Sequence, residues 1–410
     1  MEQKRVKIKL PFLIWVVAVS TMVACIGGES FLGYNISGYA WAVPLSVSIM
    51  VFFSRGRRIT LPFLIWVPWI IVVAGYLLFA DAENAYQRSV MLLCPLLIGM
   101  TVSKFSIGEG ELSSFRLLCR YMAISLYVIV LLKTGLLMTG ALPRATALSA
   151  EVMTGALFCT LFATNYMFGQ KRDIVWWGAL AAIPAIAVTR MGMIATGLSL
   201  PLTFAPMKLM KRVVLFLLII AAGYGLFQSE RVQQKTFYSG SGTLQDVSRE
   251  NPNFATSGRN FIWENMQVEI DKQPWFGHGA NASGIFVKRM TRVLEHPHND
   301  WLRLLFDYGY FGTVIFGITM ALQVLHLLRK GRQSSGEKRT LFYAAASSFI
   351  AFSLFMFTDN IILYAAFFGN FQFTLLGLAY AAYDPSGSAE GAQGTGDQVM
   401  RRPLWKRVRW

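Results

Sequence analysis

Long apolar stretches, each closed by a short polar or basic turn, recur from Leu10 to Tyr383. A membrane-crossing helix needs roughly 20 mostly apolar residues. Segments of that kind fall near 10–26, 38–53, 61–80, 89–102, 117–139, 146–168, 174–189, 191–207, 213–228, 300–328, 341–358 and 361–383. The pattern predicts an all-α polytopic membrane protein with about 12 transmembrane helices. The fourth, seventh and eighth segments are short, which leaves open a merged or re-entrant pair.

Between the ninth and tenth segments the pattern changes. Residues 229–298 are polar and too many for a simple connection. Within them Ile262, Met266 and Ile270 recur at helical spacing, predicting an amphipathic helix from Gly258 to Gln273 that stops before Pro274, with Ser257 or Thr256 as its cap. Ser239 to Gly242 reads as a turn. The chain divides accordingly into spans one to nine (1–228), a partly helical loop domain (229–298), spans ten to twelve (299–383) and a Gly/Ser-rich basic tail (384–410) expected to be disordered.

Composition narrows the class. Hydrophobic residues make up 54% of the chain and charged ones only 15%, against roughly 25% charged in soluble domains. A formal charge of +16 on so apolar a chain argues against a nucleic-acid binder and for cations in cytoplasmic loops. The short loops carry their Lys and Arg on the side that places both termini in the cytoplasm and residues 229–298 outside. The first segment reads as a retained span, because Gly27-Gly28-Glu29 makes a poor cleavage site. Cys25, Cys94, Cys119 and Cys159 all lie in apolar runs, so neither a disulfide framework nor a thiolate metal site is expected. Arg401 to Trp410 mixes cations with Trp, which suits contact with anionic lipid headgroups or a simple topology anchor.

Candidate chemistry concentrates where the loop meets span ten, in Glu295-His296-Pro297-His298-Asn299-Asp300. The chain has four histidines, and His278, His296 and His298 all belong to this loop. Imidazole suits general-base work near neutral pH. A loop histidine without chemistry, and a zinc site from His278, His296, His298 and a fourth donor such as Glu295, are the other readings. Asp300, Arg303 and Asp307 share one helix face, and an Arg303–Asp307 structural pair is expected. Gly309, Gly312 and Gly317 suit close helix packing. Arg190, after a potential Thr189 cap, and Arg259 both open helices on the outer side, where a guanidinium and a helix N-terminus together favour phosphate. Arg88 and Arg144 lie at other outer rims. Topology noise or lipid contact explains any one of these arginines; four beside a histidine-rich loop fit an anionic substrate better. Lys133, Glu151 and Asn165 are intramembrane polars with expected structural roles. Gly277-His278-Gly279 reads as a turn, and no Walker lysine, HExxH or GxSxG appears.

The string His298-Asn299, nine residues, Gly309-x-x-Gly312-Thr313 resembles the signature of bacterial O-antigen ligases. Ser257-Gly258-Arg259-x-x-x-Trp263, Pro274-x-x-Gly277-x-Gly279 and Thr189-Arg190-Met191-Gly192 are similar to further parts of that superfamily, as is the span layout. Thr189 stands where serine is commoner. The resemblance implies a metal-independent, inverting glycosyltransferase without a cofactor, in the bacterial inner membrane. Its donor would be a glycan on undecaprenyl pyrophosphate, its acceptor lipid A-core, and its active site periplasmic. In that scheme His298 accepts the acceptor's proton, and Arg190 and Arg259, with Arg88 and Arg144, hold the pyrophosphate. Asn299 orients His298 or the acceptor, Trp263 stacks on a sugar or packs the loop, and His296 belongs to the substrate-binding set. An O-antigen polymerase of the same superfamily is the nearer alternative. A non-enzymatic transporter of lipid-linked or anionic solutes is the alternative from another class.

Overall fold

The computed structural model describes residues 10–27, 30–31, 34–54, 56–78, 80, 82, 84–140 and 148–384. Arg144 and the tail beyond Asp384 lie outside them. Helices α1 (Phe12–Ile26), α2 (Ile36–Ser54), α3 (Val67–Leu77), α4 (Ala85–Ser103), α5 (Glu109–Met138) and α6 (Ser149–Met167) occupy the first six apolar segments. They are followed by α7 (Asp173–Ile186), α8 (Arg190–Leu198) and α9 (Leu209–Phe227). The loop domain contributes α10 (Glu230–Thr236), α11 (Arg259–Lys272) and α12 (Ala282–Thr291). The chain closes with α13 (Asp300–Gln333), α14 (Gly336–Met356) and α15 (Asn370–Tyr380). Strands among the described residues are two-residue pairs only. The protein is an all-α polytopic membrane protein. α4, α5, α9, α13 and α14 each hold a stretch long and apolar enough to cross a membrane.

The eighth apolar segment departs from the expectation. α8 ends at Leu198, and Pro201 and Pro206 keep 199–208 out of a helix because proline has no N–H to donate. Nine residues rise about 14 Å, less than half the hydrocarbon thickness. Ser199, Leu200, Thr203 and Ala205 of this stretch are buried, and Ser347 Oγ of α14 accepts the Phe204 N–H at 3.0 Å and meets Thr203 Oγ1 at 3.1 Å. Non-helical backbone at membrane depth is tolerated where protein satisfies it in this way. Two of the intramembrane polars are paired, Lys133 with Glu151 at 2.6 Å and Asn165 Nδ2 donating to Asp173 at 2.8 Å, although Glu151 Oε2 is buried without a hydrogen-bond partner.

The loop domain packs on the start of α13. The predicted amphipathic helix is α11, and Ile262, Met266 and Ile270 form a small core with Val287 of α12 and Phe306 of α13. Neither Ser257 nor Thr256 caps it by side chain; Gly258, at φ 76°, makes the entry turn.

α13 is broken at Gly309, whose φ of 63° and ψ of −170° fall outside any helix. The break frees the carbonyls of Phe306 and Asp307 and the N–H groups of Tyr310 and Phe311. Residues 274–279 take all four: His278 N donates to Phe306 O (2.8 Å), Gly279 N to Asp307 O (3.0 Å), Tyr310 N to Pro274 O (2.8 Å) and Phe311 N to Trp275 O (3.0 Å). Backbones come so close that a Cβ on Gly309 would sit 2.3 Å from Trp275 O, and one on Gly277 2.6 Å from Gly309 N. The glycines of both motifs are thus two halves of one joint. Gly312 packs tightly, with a Cβ there 2.4 Å from Tyr308 Cβ, whereas Gly317 faces open space and has no packing role.

Gly309→Ala would force a side chain into backbone and into a conformation only glycine adopts freely. It is expected to lower stability by about 1–3 kcal/mol or more, read as a fall in the unfolding midpoint of the purified protein. Gly317→Ala should leave that midpoint unchanged or slightly raised. Equal midpoints for the two variants would contradict the joint.

Candidate active site

The turns of α3–α4, α7–α8 and α14–α15 meet the loop domain at one end of the helices. Tyr76 Oη donates to Phe276 O at 2.6 Å, Lys235 Nζ reaches Ala187 O at 3.4 Å, and Arg259 Nη1 donates to Thr358 O at 2.6 Å. His298 lies at this junction with a positive φ of 52°, an uncommon state for a side-chain-bearing residue. Two contacts hold it there. Its N–H donates to Asn360 Oδ1 at 3.1 Å, and Trp263 Nε1 donates to Pro297 O at 2.7 Å. Trp263 therefore packs the loop, with Arg249 over its ring at 4.6 Å.

The half-exposed His298 ring faces the turn between α14 and α15. Its Nδ1 lies 3.3 Å from Asp359 Oδ1 and 3.2 Å from Asn360 Nδ2. The carboxylate is the stronger partner. An Nδ1–H donated to Asp359 leaves the Nε2 lone pair free to take a proton, with the ring fixed. Asp359 and Asn360 went unread in the sequence, although a polar pair between two apolar segments was the available signal. Asn299, expected to orient His298 or a substrate, instead caps α13, its Oδ1 accepting Leu302 N–H at 3.0 Å. Asn360 has the orienting position.

The same turn carries the arginine arm. Thr358, which accepts from Arg259, is the neighbour of Asp359. Arg190 Nη2 donates to Ala255 O at 2.9 Å, Ala255 N donates to Thr236 O at 2.9 Å, and Lys235 is next in the chain. Arg190, Arg259 and Lys235 are therefore interlocked through 235–236 and 254–259. Desolvation first, and then the two guanidinium charges, lower the Lys235 ammonium from its ordinary pKa. Arg190 Nη1 is buried without a hydrogen-bond partner. Among the described residues no carboxylate pairs with any of the three. Lys235 was not singled out in the sequence, where it was one cation among several in the loop. Arg190 and Arg259 do open helices α8 and α11, but Thr189 supplies no side-chain cap.

Arg88 and His296 belong to the other flank of His298. Arg88 pairs with Glu295 at 3.6 Å, and Glu295 with Lys288 at 3.0 Å. His296 Nδ1 accepts from Arg303 Nη2 at 3.1 Å. The charged face of α13 is scaffold. Asp300 Oδ2 accepts the Ile362 N–H at 2.8 Å, Asp307 Oδ1 accepts the Ser283 N–H at 2.7 Å, and Arg303 stands 3.9 and 4.0 Å from the two carboxylates. His278 turns elsewhere, its Nε2 on Glu269 O at 3.0 Å. No three His, Cys, Asp or Glu side chains among the described residues gather as a metal site would require, so the zinc set of His278, His296 and His298 is not assembled.

A polytopic membrane protein with a cationic, histidine-bearing site under a loop domain defines the class. Residues 174–317 match the O-antigen ligase family model, so this stretch of the chain is similar to O-antigen ligases. No match among curated proteins accompanies it. The matched stretch runs from α7 past the Gly309 break and includes Arg190, Lys235, Arg259 and His298; Asp359 and Asn360 lie outside it.

Burial, followed by the charges of Arg303 and Arg88, pushes His296 down to a pKa of about 2. An unfolded histidine titrates near 6.5, so below that pH the unfolded chain binds a proton that the folded state refuses. The stability contributed by neutral His296 is present above pH 6.5 and lost as pH falls toward 2. His296→Asn, which keeps an acceptor for Arg303, should flatten the fall in unfolding midpoint between pH 7 and pH 5. Parallel wild-type and variant curves would contradict the neutral assignment.

Proposed function

We propose that the protein is an O-antigen ligase that transfers a glycan from undecaprenyl pyrophosphate to lipid A-core on the periplasmic face of the inner membrane. The observation that carries this reading is the Thr358–Asn360 turn, which touches Arg259 through one residue and His298 through the next two. A base and an anion clamp share one support. His298 Nε2 removes the proton of the acceptor hydroxyl as that oxygen attacks the anomeric carbon. The glycosyl–phosphate bond breaks on the opposite face, inverting the centre, and the electron pair leaves with the pyrophosphate. Arg190, Arg259 and Lys235 meet the charge that grows there. Preorganised cations of this kind act on the transition state more than on the ground state. They also fill the place a divalent ion takes in other transferases, so the reaction is metal-independent. Asp359 holds the imidazole in the tautomer the base needs, and the imidazolium that forms is stabilised by the same carboxylate.

The test uses purified protein with lipid-linked glycan and lipid A-core in the presence of a chelator. Wild-type transfer is expected to persist. His298→Ala should leave the polymer on its carrier, and Arg190→Ala or Arg259→Ala should each lower kcat by about 10²–10³-fold, the usual effect of deleting one charge-stabilising donor. Asp359→Asn should lower kcat more than it raises KM. Full transfer by His298→Ala would remove the base assignment. Elongation of the carrier-linked glycan, with no transfer to lipid A-core, would identify a polymerase.

A further inference from the structure

On the flank of His298 away from the cation clamp, a trough runs along α12. Its outer half is a cavity of about 340 Å³, within the size range of small-ligand sites. Ile285, Phe286 and Arg289 line one side at helical spacing, and Glu269, His278 and Phe306 line the other. Three rings form a continuous aromatic wall: His278 lies 4.6 Å and Phe286 5.2 Å from Phe306, centroid to centroid. His278 is held in that wall by the carbonyl of Glu269. Ile285 also lines a smaller pocket with Arg88, Lys288, Glu295 and His296, so the two cavities meet at one side chain. His296 stands two residues from His298. The smaller pocket therefore brings the lining within two residues of the proposed base along the chain.

We propose that this trough is the acceptor subsite and that it takes the oligosaccharide portion of the acceptor. The inference rests on the glycosyl-transfer reading above. Inversion requires the attacking hydroxyl to approach from the face opposite the departing pyrophosphate. With the leaving group on Arg190, Lys235 and Arg259, the acceptor reaches His298 from the other flank, which is where both cavities lie. The lining suits a sugar. Apolar ring faces pack on aromatic side chains, while hydroxyl groups take hydrogen bonds from an exposed guanidinium and give them to carboxylates. Arg289 supplies the guanidinium; Glu269 and Glu295 supply the carboxylates. Both carboxylates are already neutralised by neighbours, Glu269 by Lys272 at 2.7 Å and Glu295 by Arg88 and Lys288. An acidic acceptor is therefore not repelled. No covalent step occurs in the trough, and the bond chemistry stays at His298.

Ile285→Trp would fill the point where the cavities join, and Arg289→Ala would remove the guanidinium from an exposed position without touching the core. In steady-state assays with full-length protein, both are expected to raise the acceptor KM at least tenfold while the donor KM stays within twofold of wild type. Calorimetric titration with delipidated core oligosaccharide should show binding to the wild type and its loss in both variants. Unchanged acceptor KM in Arg289→Ala, or a rise in the donor KM instead, would overturn the assignment. The titration is independent of turnover. Oligosaccharide that binds wild type and not the variants, in a protein that transfers no glycan, would uphold the trough and remove the transferase reading.

Discussion

The backbone joint between residues 274–279 and the broken turn of α13 is the constraint from which the rest of the site follows. A helix interrupted beneath a packed domain exposes carbonyl and N–H groups that are costly to bury unpaired. Here four of them are taken by one short segment of the loop domain. The same four bonds clamp the loop onto the bundle at a fixed height and rotation. Gly309 and Gly277 are needed because the backbones approach within distances that no Cβ tolerates. Once that segment is seated, α11 precedes it and α12 follows it, and their apolar faces close on Phe306. The position of His298, seven residues beyond the end of α12 and two before the start of α13, is then determined from both sides.

Charge on the first turns of α13 extends that logic. Asp300, Arg303 and Asp307 lie on one face and each fixes a different element: the α14–α15 turn, His296 and the start of α12. Buried ions are costly unless their partners complete them; backbone N–H groups and a neutral imidazole meet most of this row, while Asp300 Oδ1 and Arg303 Nη1 face each other at 3.9 Å without a hydrogen bond. The consequence is a rigid frame around an imidazole that remains partly open. His298 sits in the left-handed region between two hydrogen-bonded neighbours, the kind of local strain that surrounding contacts must maintain.

Much of this was legible in the chain. Apolar segment lengths located the helices, the spacing of Ile262, Met266 and Ile270 located α11, and the scarcity of histidine drew notice to 296–298. The cationic arm was half legible, since Arg190 and Arg259 stood out as arginines against the expected charge bias. Lys235 did not, because a lysine in a polar loop has no sequence signal until the Thr236–Ala255 pairing brings it beside Arg190. Asp359 and Asn360 were obscured by apolar runs on both sides that read as the ends of spans. Asn299 was misjudged for a related reason: adjacency to His298 in sequence suggested a shared task, whereas the helix start claims its side chain. The break at Gly309 was equally hidden. Its glycine pattern matched helix packing, and only the facing backbone of 274–279 distinguishes a break from a close contact.

Cations at this end of the molecule fall into two populations. Arg88, Lys288 and Arg303 each have carboxylates within ion-pair distance, so their charge is largely spent inside the protein. Arg190, Arg259 and Lys235 have carbonyl oxygens and an aromatic ring instead, Arg190 lying 5.2 Å from the Phe254 centroid. A carbonyl orients a cation without neutralising it. Like charges held together in this manner repel one another, and in the absence of an anion the arrangement works against folding. Such a cluster is stabilised by an anion bound between its members, and most by a multivalent one. The neutralised population suits the flank that receives a polyhydroxylated acceptor. The unneutralised one suits the flank where a pyrophosphate arrives with its charge and leaves with more. Under the proposed function, the direction of transfer past His298 follows from that asymmetry.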